Sequence, residues 1–189
     1  AFFNPVSGKT TILTRDEWAK RRVCITETAN WHDFTPLKHC LQCDSLDVPL
    51  AEIYGMPAFE YDGWFIGFPH IYSGFKQEIG TKFNGGTIHC QLAYSLNGHH
   101  WQRSLREPFL EGNMLPEAPW PLVFPSSVLR EDSGALLIYC TASHNLHGAS
   151  AEQSWRKMET KILRLREDGF IRLTTESKNE PGIIATADI

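Results

Sequence analysis

With 189 residues, 42% of them apolar, the chain is long enough for one domain with a sizeable core. A net charge of -4 leaves no basic stripe, which argues against a nucleic-acid partner. No apolar run approaches the roughly 18 residues a membrane span needs. Five cysteines form an odd set scattered through strand-like stretches, the pattern of reduced, buried thiols in a cytoplasmic protein and not of a disulfide framework. The Cys40–Cys43 pair beside His39 has no second ligand pair at zinc spacing, so neither a metal nor another cofactor is expected.

In chain order, residues 1–14 are mixed, with turn signals at Pro5 and Ser7-Gly8. Thr14 to Glu17 has the capping pattern of a short helical turn. Residues 22–26 and 34–41 read as two strands. The clearest hairpin runs from Ile53 to Tyr61, turns at Asp62-Gly63 and returns from Trp64 to Tyr72, since Asp-Gly between aromatic-rich runs favours a two-residue turn. A Gly-rich loop leads to a strand over 87–95, and Asn97-Gly98 turns it back toward 101–103. The next unit runs over 122–130, turns at Ser133-Gly134 and returns over 135–143. Residues 148–157 read as a polar insertion, and strands over 160–166 and 170–175 close the unit around Asp168-Gly169. Ile183-Ile184 could begin a further strand.

These elements repeat. Trp31 recurs as Trp101 seventy positions on, and Asp62-Gly63 recurs as Ser133-Gly134 seventy-one on. Asn97-Gly98 recurs as Asp168-Gly169 at the same interval. Such spacing predicts an all-β chain of four-stranded antiparallel blades, part of a β-propeller. Two blades are complete, 53–103 and 122–175, and 22–41 is the outer half of a preceding one. Missing blades or a second chain would cover the open edges.

Counting along the hairpins locates a candidate site. Extending the Asp62-Gly63 turn puts residue 54 opposite 71 and 52 opposite 73, so Glu52, Tyr54, His70 and Tyr72 gather at one open end. The same extension from Ser133-Gly134 puts Trp120 near His147 and Val123 near His144. Glu52 is the candidate acid, since a carboxyl among aromatic rings can serve in proton transfer. Its bland alternative is a strand-end glutamate paired with Arg21 or Arg22. Tyr54, His70, Tyr72, Trp120, His144 and His147 are candidates for holding a carbohydrate ligand, although a core histidine bonded to backbone is the common alternative for His70 and His144, and Trp120 is either a rim platform or a core plug.

Three stretches carry a resemblance: Ala51-Glu52-Ile53-Tyr54-Gly55-Met56-Pro57, the Asp62-Gly63 hairpin, and Leu92 through Trp101, whose Ser95-Leu96-Asn97-Gly98-His99-His100-Trp101, like Thr26 to Trp31, matches a turn motif of sugar-acting propellers. Over residues 21 to 175 the chain resembles the five-bladed propeller glycoside hydrolases of families 32 and 43. The resemblance implies three axial carboxylates, with Glu52 at the place of the third-blade general acid. No Asp follows Arg21-Arg22 where the second is expected, and no first-blade Asp stands near Ala1. The chain is therefore expected to be an incomplete portion of a glycoside hydrolase-like catalytic domain, or else a non-catalytic carbohydrate-binding propeller.

Overall fold

The computed structural model describes residues 1–16, 21–74, 85–148 and 158–170. Thr14, expected to cap a helical turn, instead ends a strand, and the turn beyond Asp16 lies outside these residues. The polar insertion, the strand over 170–175 and the strand near Ile183 lie wholly or largely outside them. The chain is all-β, built from antiparallel sheets of four strands in its first two units; a single 3₁₀ turn, Gly112–Met114, interrupts it among the described residues.

The first unit is the meander β1 (Phe2–Asn4), β2 (Lys9–Thr14), β3 (Val23–Thr28) and β4 (Lys38–Leu41). Residues 1–41 thus carry a full four-stranded sheet where sequence reading found only its outer two strands. The first two were missed because β1 is three residues long and β2, Lys-Thr-Thr-Ile-Leu-Thr, has little apolar alternation.

The second unit folds as a long hairpin that bends in the middle. β5 (Glu52–Gly55) and β6 (Ala58–Tyr61) are one run interrupted at Met56-Pro57, and β7 (Trp64–Gly67) and β8 (His70–Gly74) are one run interrupted at Phe68-Pro69. Proline has no N–H for the ladder, so each run breaks there. β9 (Gly86–Cys90), β10 (Ala93–Ser95) and β11 (Gln102–Arg103) complete the unit. Its outer half forms the sheet β11-β10-β7-β6. Its other half joins the third unit, β12 (Leu122–Arg130), β13 (Leu136–Ser143) and β14 (Met158–Leu165), through one parallel pair, Leu122 with Ile88.

Turn chemistry sets the registers. Asp62 and Gly63 both have positive φ, 47° and 84°, so they form the expected two-residue hairpin turn and pair Tyr61 with Trp64. Between Ile53 and Gly55 the ladder slips by one residue. Glu52 therefore lies opposite Tyr72, not residue 73, and Ile53 lies opposite Ile71; Tyr54 is the extra residue of a bulge. The other hairpin differs further. Glu131 pairs with Ala135 around the three residues Asp132, Ser133 and Gly134, and a second slip falls between Pro125 and Ser127. Val123 accordingly faces Ala142, not His144.

The repeat is also offset from its apparent landmarks. Thr28 Oγ1 accepts the N–H groups of Asn30 and Trp31, and Asn30 Oδ1 accepts those of His32 and Asp33. Ser95 and Asn97 make the same set with Asn97, Gly98, His99 and His100. Thr28, Asn30, Trp31 and Phe34 thus correspond to Ser95, Asn97, Gly98 and Trp101, sixty-seven positions on. Trp31, with φ 63°, stands where Gly98 stands with φ 74°, so it is not the counterpart of Trp101. Phe34 is.

Two cores lie between successive units. Phe2, Leu13, Val23 and Leu41 of the first pack with Phe65, Ala93 and Trp101 of the second. Tyr61, Ile66, Phe68 and Leu92 of the second pack with Val123, Leu136, Ile138 and Cys140 of the third. Hairpin tips fasten the units together: Asn4 Nδ2 donates to Asn97 O at 2.9 Å, and Tyr61, at the same register position one unit later, donates its hydroxyl to Asp168 Oδ1 at 2.8 Å.

Candidate functional site

Glu52 opens β5 with its side chain buried at 2% exposure. Its Oε2 receives a hydrogen bond from Arg21 Nη1 at 2.9 Å, while its buried Oε1 accepts none among the described residues. A backbone bond from Ile53 N to Arg21 O, 3.2 Å, holds the arginine segment alongside β5. The pairing that sequence reading weighed as the bland alternative is therefore present, but it satisfies only one oxygen.

The bulge at Tyr54 and the register at Tyr72 bring both rings to this ion pair. The Arg21 guanidinium carbon lies 5.2 Å from the Tyr54 ring centroid and 5.3 Å from that of Tyr72, within cation–π range. His147 packs edge-on to both, at 5.3 and 4.9 Å. Tyr72 donates its hydroxyl to Gly85 O at 2.8 Å, and burial, opposed by Arg21 and reinforced by Glu52, raises its pKa. Gly86 must be glycine here, since a Cβ would come within 2.5 Å of the Tyr72 ring and its φ is 149°.

A cleft of about 410 Å³ adjoins this group, and Arg21, Arg22, Asp44, Asp47, Leu50 and Glu52 are among the residues lining it. The Asp47 side chain is buried and locked in a two-pronged pair with Arg103, at 2.6 and 2.5 Å. Burial works against the Asp47 carboxylate, but hydrogen bonds from Arg103 and the backbone outweigh it and lower the pKa. Asp44 is held by Arg106 at 2.6 Å and is more exposed. Sequence reading passed over Asp44, Asp47 and Arg103. The available signal was an arginine at an inward position of β11, which needs a carboxylate partner when buried.

The structure divides the sequence-derived candidates into three groups. Glu52, Tyr54, Tyr72 and His147 come together. His70 touches the far side through Phe124, at 5.5 Å, but its Nε2 donates to Pro125 O at 2.8 Å. Burial pulls its pKa down to about 4, with the carbonyl opposing, so it is a neutral core histidine bridging β8 to the bulge of β12. Trp120 and His144 lie apart from Glu52 as a stacked pair, 3.7 Å between centroids. The hairpin extension that put Trp120 beside His147 fails because the turn holds three residues and β12 slips. Trp120 is 2% exposed and donates to Pro116 O, so it plugs the core beneath His144.

All five cysteines are free thiols, and burial pushes Cys40 and Cys43 up to about 12. No group of three His, Cys, Asp or Glu side chains suited to a metal ion occurs among the described residues, and no described helix is long and apolar enough to cross a membrane. Compared with protein-family models and with curated proteins, the chain gives no match.

Proposed function

We propose that this chain forms part of a propeller-type, carbohydrate-active domain in which Glu52 takes part in acid/base chemistry on glycosidic bonds. The observation that carries the reading is the half-satisfied carboxylate: one oxygen of Glu52 is pinned by Arg21, the other is buried beside a cleft without a hydrogen bond from the described residues. An unpaired buried acceptor is costly unless a ligand hydroxyl or a reacting proton completes it. Tyr54 and Tyr72 supply apolar ring surface next to it, and the repeated, face-packed units support the propeller geometry that would put such a cleft near an axis.

One observation favours a second reading, a non-catalytic carbohydrate binder. The Arg21 contact suits a carboxylate that accepts from sugar hydroxyls better than one that hands over a proton, and Asp44 and Asp47, the other carboxylates of the cleft, are held by arginines. The two readings separate in one experiment. Turnover of a panel of aryl glycosides and binding of the matching oligosaccharides by calorimetry are measured for the whole protein of which this chain forms part, as wild type and as Glu52→Gln. An enzyme loses roughly 10²-fold or more in turnover with the fold intact. A binder shows no turnover in wild type but loses affinity in the variant. Unchanged turnover in Glu52→Gln overturns the catalytic role, and neither turnover nor binding in wild type overturns both.

A further inference from the structure

Between β4 and β5 the chain runs from Gln42 to Ala51 without a strand, and this stretch forms most of the wall of the Glu52 cleft. It is held from the second unit. Arg103, whose side chain is 1% exposed, grips both oxygens of Asp47 and donates to Gln42 O at 3.2 Å. Arg106 holds Asp44, and Asp44 N donates to Asp47 Oδ2 at 2.7 Å. A buried ion pair adds little net stability over an apolar filling of the same space. What this one supplies is a fixed geometry for the stretch.

The same stretch ends in a second feature that works against stability. Ala51 N donates to Val48 O at 3.1 Å, which closes a turn with Pro49 and Leu50 at its centre. Leu50 has a φ of 67°. Proline followed by a positive φ is the type II pattern, whose third position favours Gly or Asn because other side chains are strained there. Leu50 is 49% exposed and Val48 57% exposed, and both line the cleft. Glu52 follows two residues after Leu50. Strain of this kind gathers at ligand clamps and active sites. Folding alone gives little reason for it here, since the leucine gains little burial and asparagine would relieve the strain.

We propose that Val48 and Leu50 form an apolar lip that receives the aglycone of a glycoside, so that the preferred ligands are sugars carrying an aryl or alkyl substituent. The inference rests on the carbohydrate reading above and adds the substrate class. The cleft has the make-up of a small-ligand site: about 410 Å³, with apolar side chains beside a few fixed polar groups. Because the clamp and the turn fix the lip next to Glu52, the two ends of such a ligand meet complementary surfaces. Its hydroxyls face the carboxylate, and its substituent lies against Val48 and Leu50.

Calorimetric titration of the whole protein tests this with the methyl, phenyl and hexyl glycosides of the sugar that wild type binds. The phenyl and hexyl glycosides are expected to bind about tenfold or more tightly than the methyl glycoside. Val48→Ser and Leu50→Asn are each expected to narrow that ratio by about threefold or more. Both positions are exposed, and asparagine accepts the positive φ, so Leu50→Asn should melt no lower than wild type. Binding of the methyl glycoside with no gain from phenyl or hexyl overturns this inference and leaves the carbohydrate reading standing. A wild type that binds no sugar overturns both. A ratio that stays the same in the two variants overturns the lip, and a fall in their melting temperatures alongside it would show that another part of the protein covers these side chains.

Discussion

At the scale of single residues, His70 shows how position decides chemistry. Its imidazole is boxed between Phe124, the Gly55 backbone and the Pro125 carbonyl, with no carboxylate against it among the described contacts. Burial lowers its pKa from 6.5 to about 4. Because the folded value is the lower one, the unfolded chain binds the extra proton as the solution is acidified. Stability from this group is complete above about pH 6.5 and is lost progressively as pH falls toward 4, by about 3 kcal/mol in all. The urea midpoint should therefore fall between pH 7 and pH 5 in wild type, and the fall should be smaller in His70→Gln, whose amide can still donate to Pro125. Equal slopes in the two proteins would show that His70 is not held neutral.

At the scale of elements, the Ser95–Trp101 turn depends on one backbone conformation and one close approach. Gly98 has φ 74°, and Asn4 of the preceding unit sits where its Cβ would be. Alanine there meets both the left-handed strain and the clash, and the two together should cost about 1–3 kcal/mol in chemical denaturation. Trp31 adopts the same φ in the first unit with an open side, which shows that the turn tolerates a side chain where no neighbour approaches. A Gly98→Ala variant as stable as wild type would mean that the Asn4–Asn97 contact does not fix the spacing of the units.

At the scale of the whole molecule, neither core belongs to a single unit. Phe65 and Trp101 bury against Phe2 and Leu13, and Phe68 and Leu92 bury against Leu136 and Ile138. The parallel pair of Leu122 with Ile88 continues one sheet across the second and third units. No unit can open without exposing the inner surface of its neighbour, so scanning calorimetry is expected to show one transition with matching calorimetric and van't Hoff enthalpies. Two resolved transitions would show that the units fold independently.

The sequence by itself determined the strands and the turns that local chemistry dictates. Aromatic and β-branched runs between Asp62-Gly63, Asn97-Gly98 and Asp168-Gly169 marked the second and third units, and the concentration of Glu52, Tyr54 and Tyr72 at one hairpin end was legible from that turn alone. Short or weakly alternating strands such as β1 and β2 carried too little pattern to be seen. Register is a different matter. A bulge inserts one residue with no distinctive composition, and every position beyond it moves to a new partner, which is why Trp120 and His144 paired with each other and left His147 to the tyrosines. The true alignment of the repeat was hidden in the same way, since Trp31 and Trp101 share a side chain while Trp31 and Gly98 share a backbone conformation. Only the tertiary structure decided what surrounds Glu52: of its two candidate partners it chose Arg21, and it brought Asp47, held by Arg103, to the same cleft, because these segments converge through the packing of the sheets.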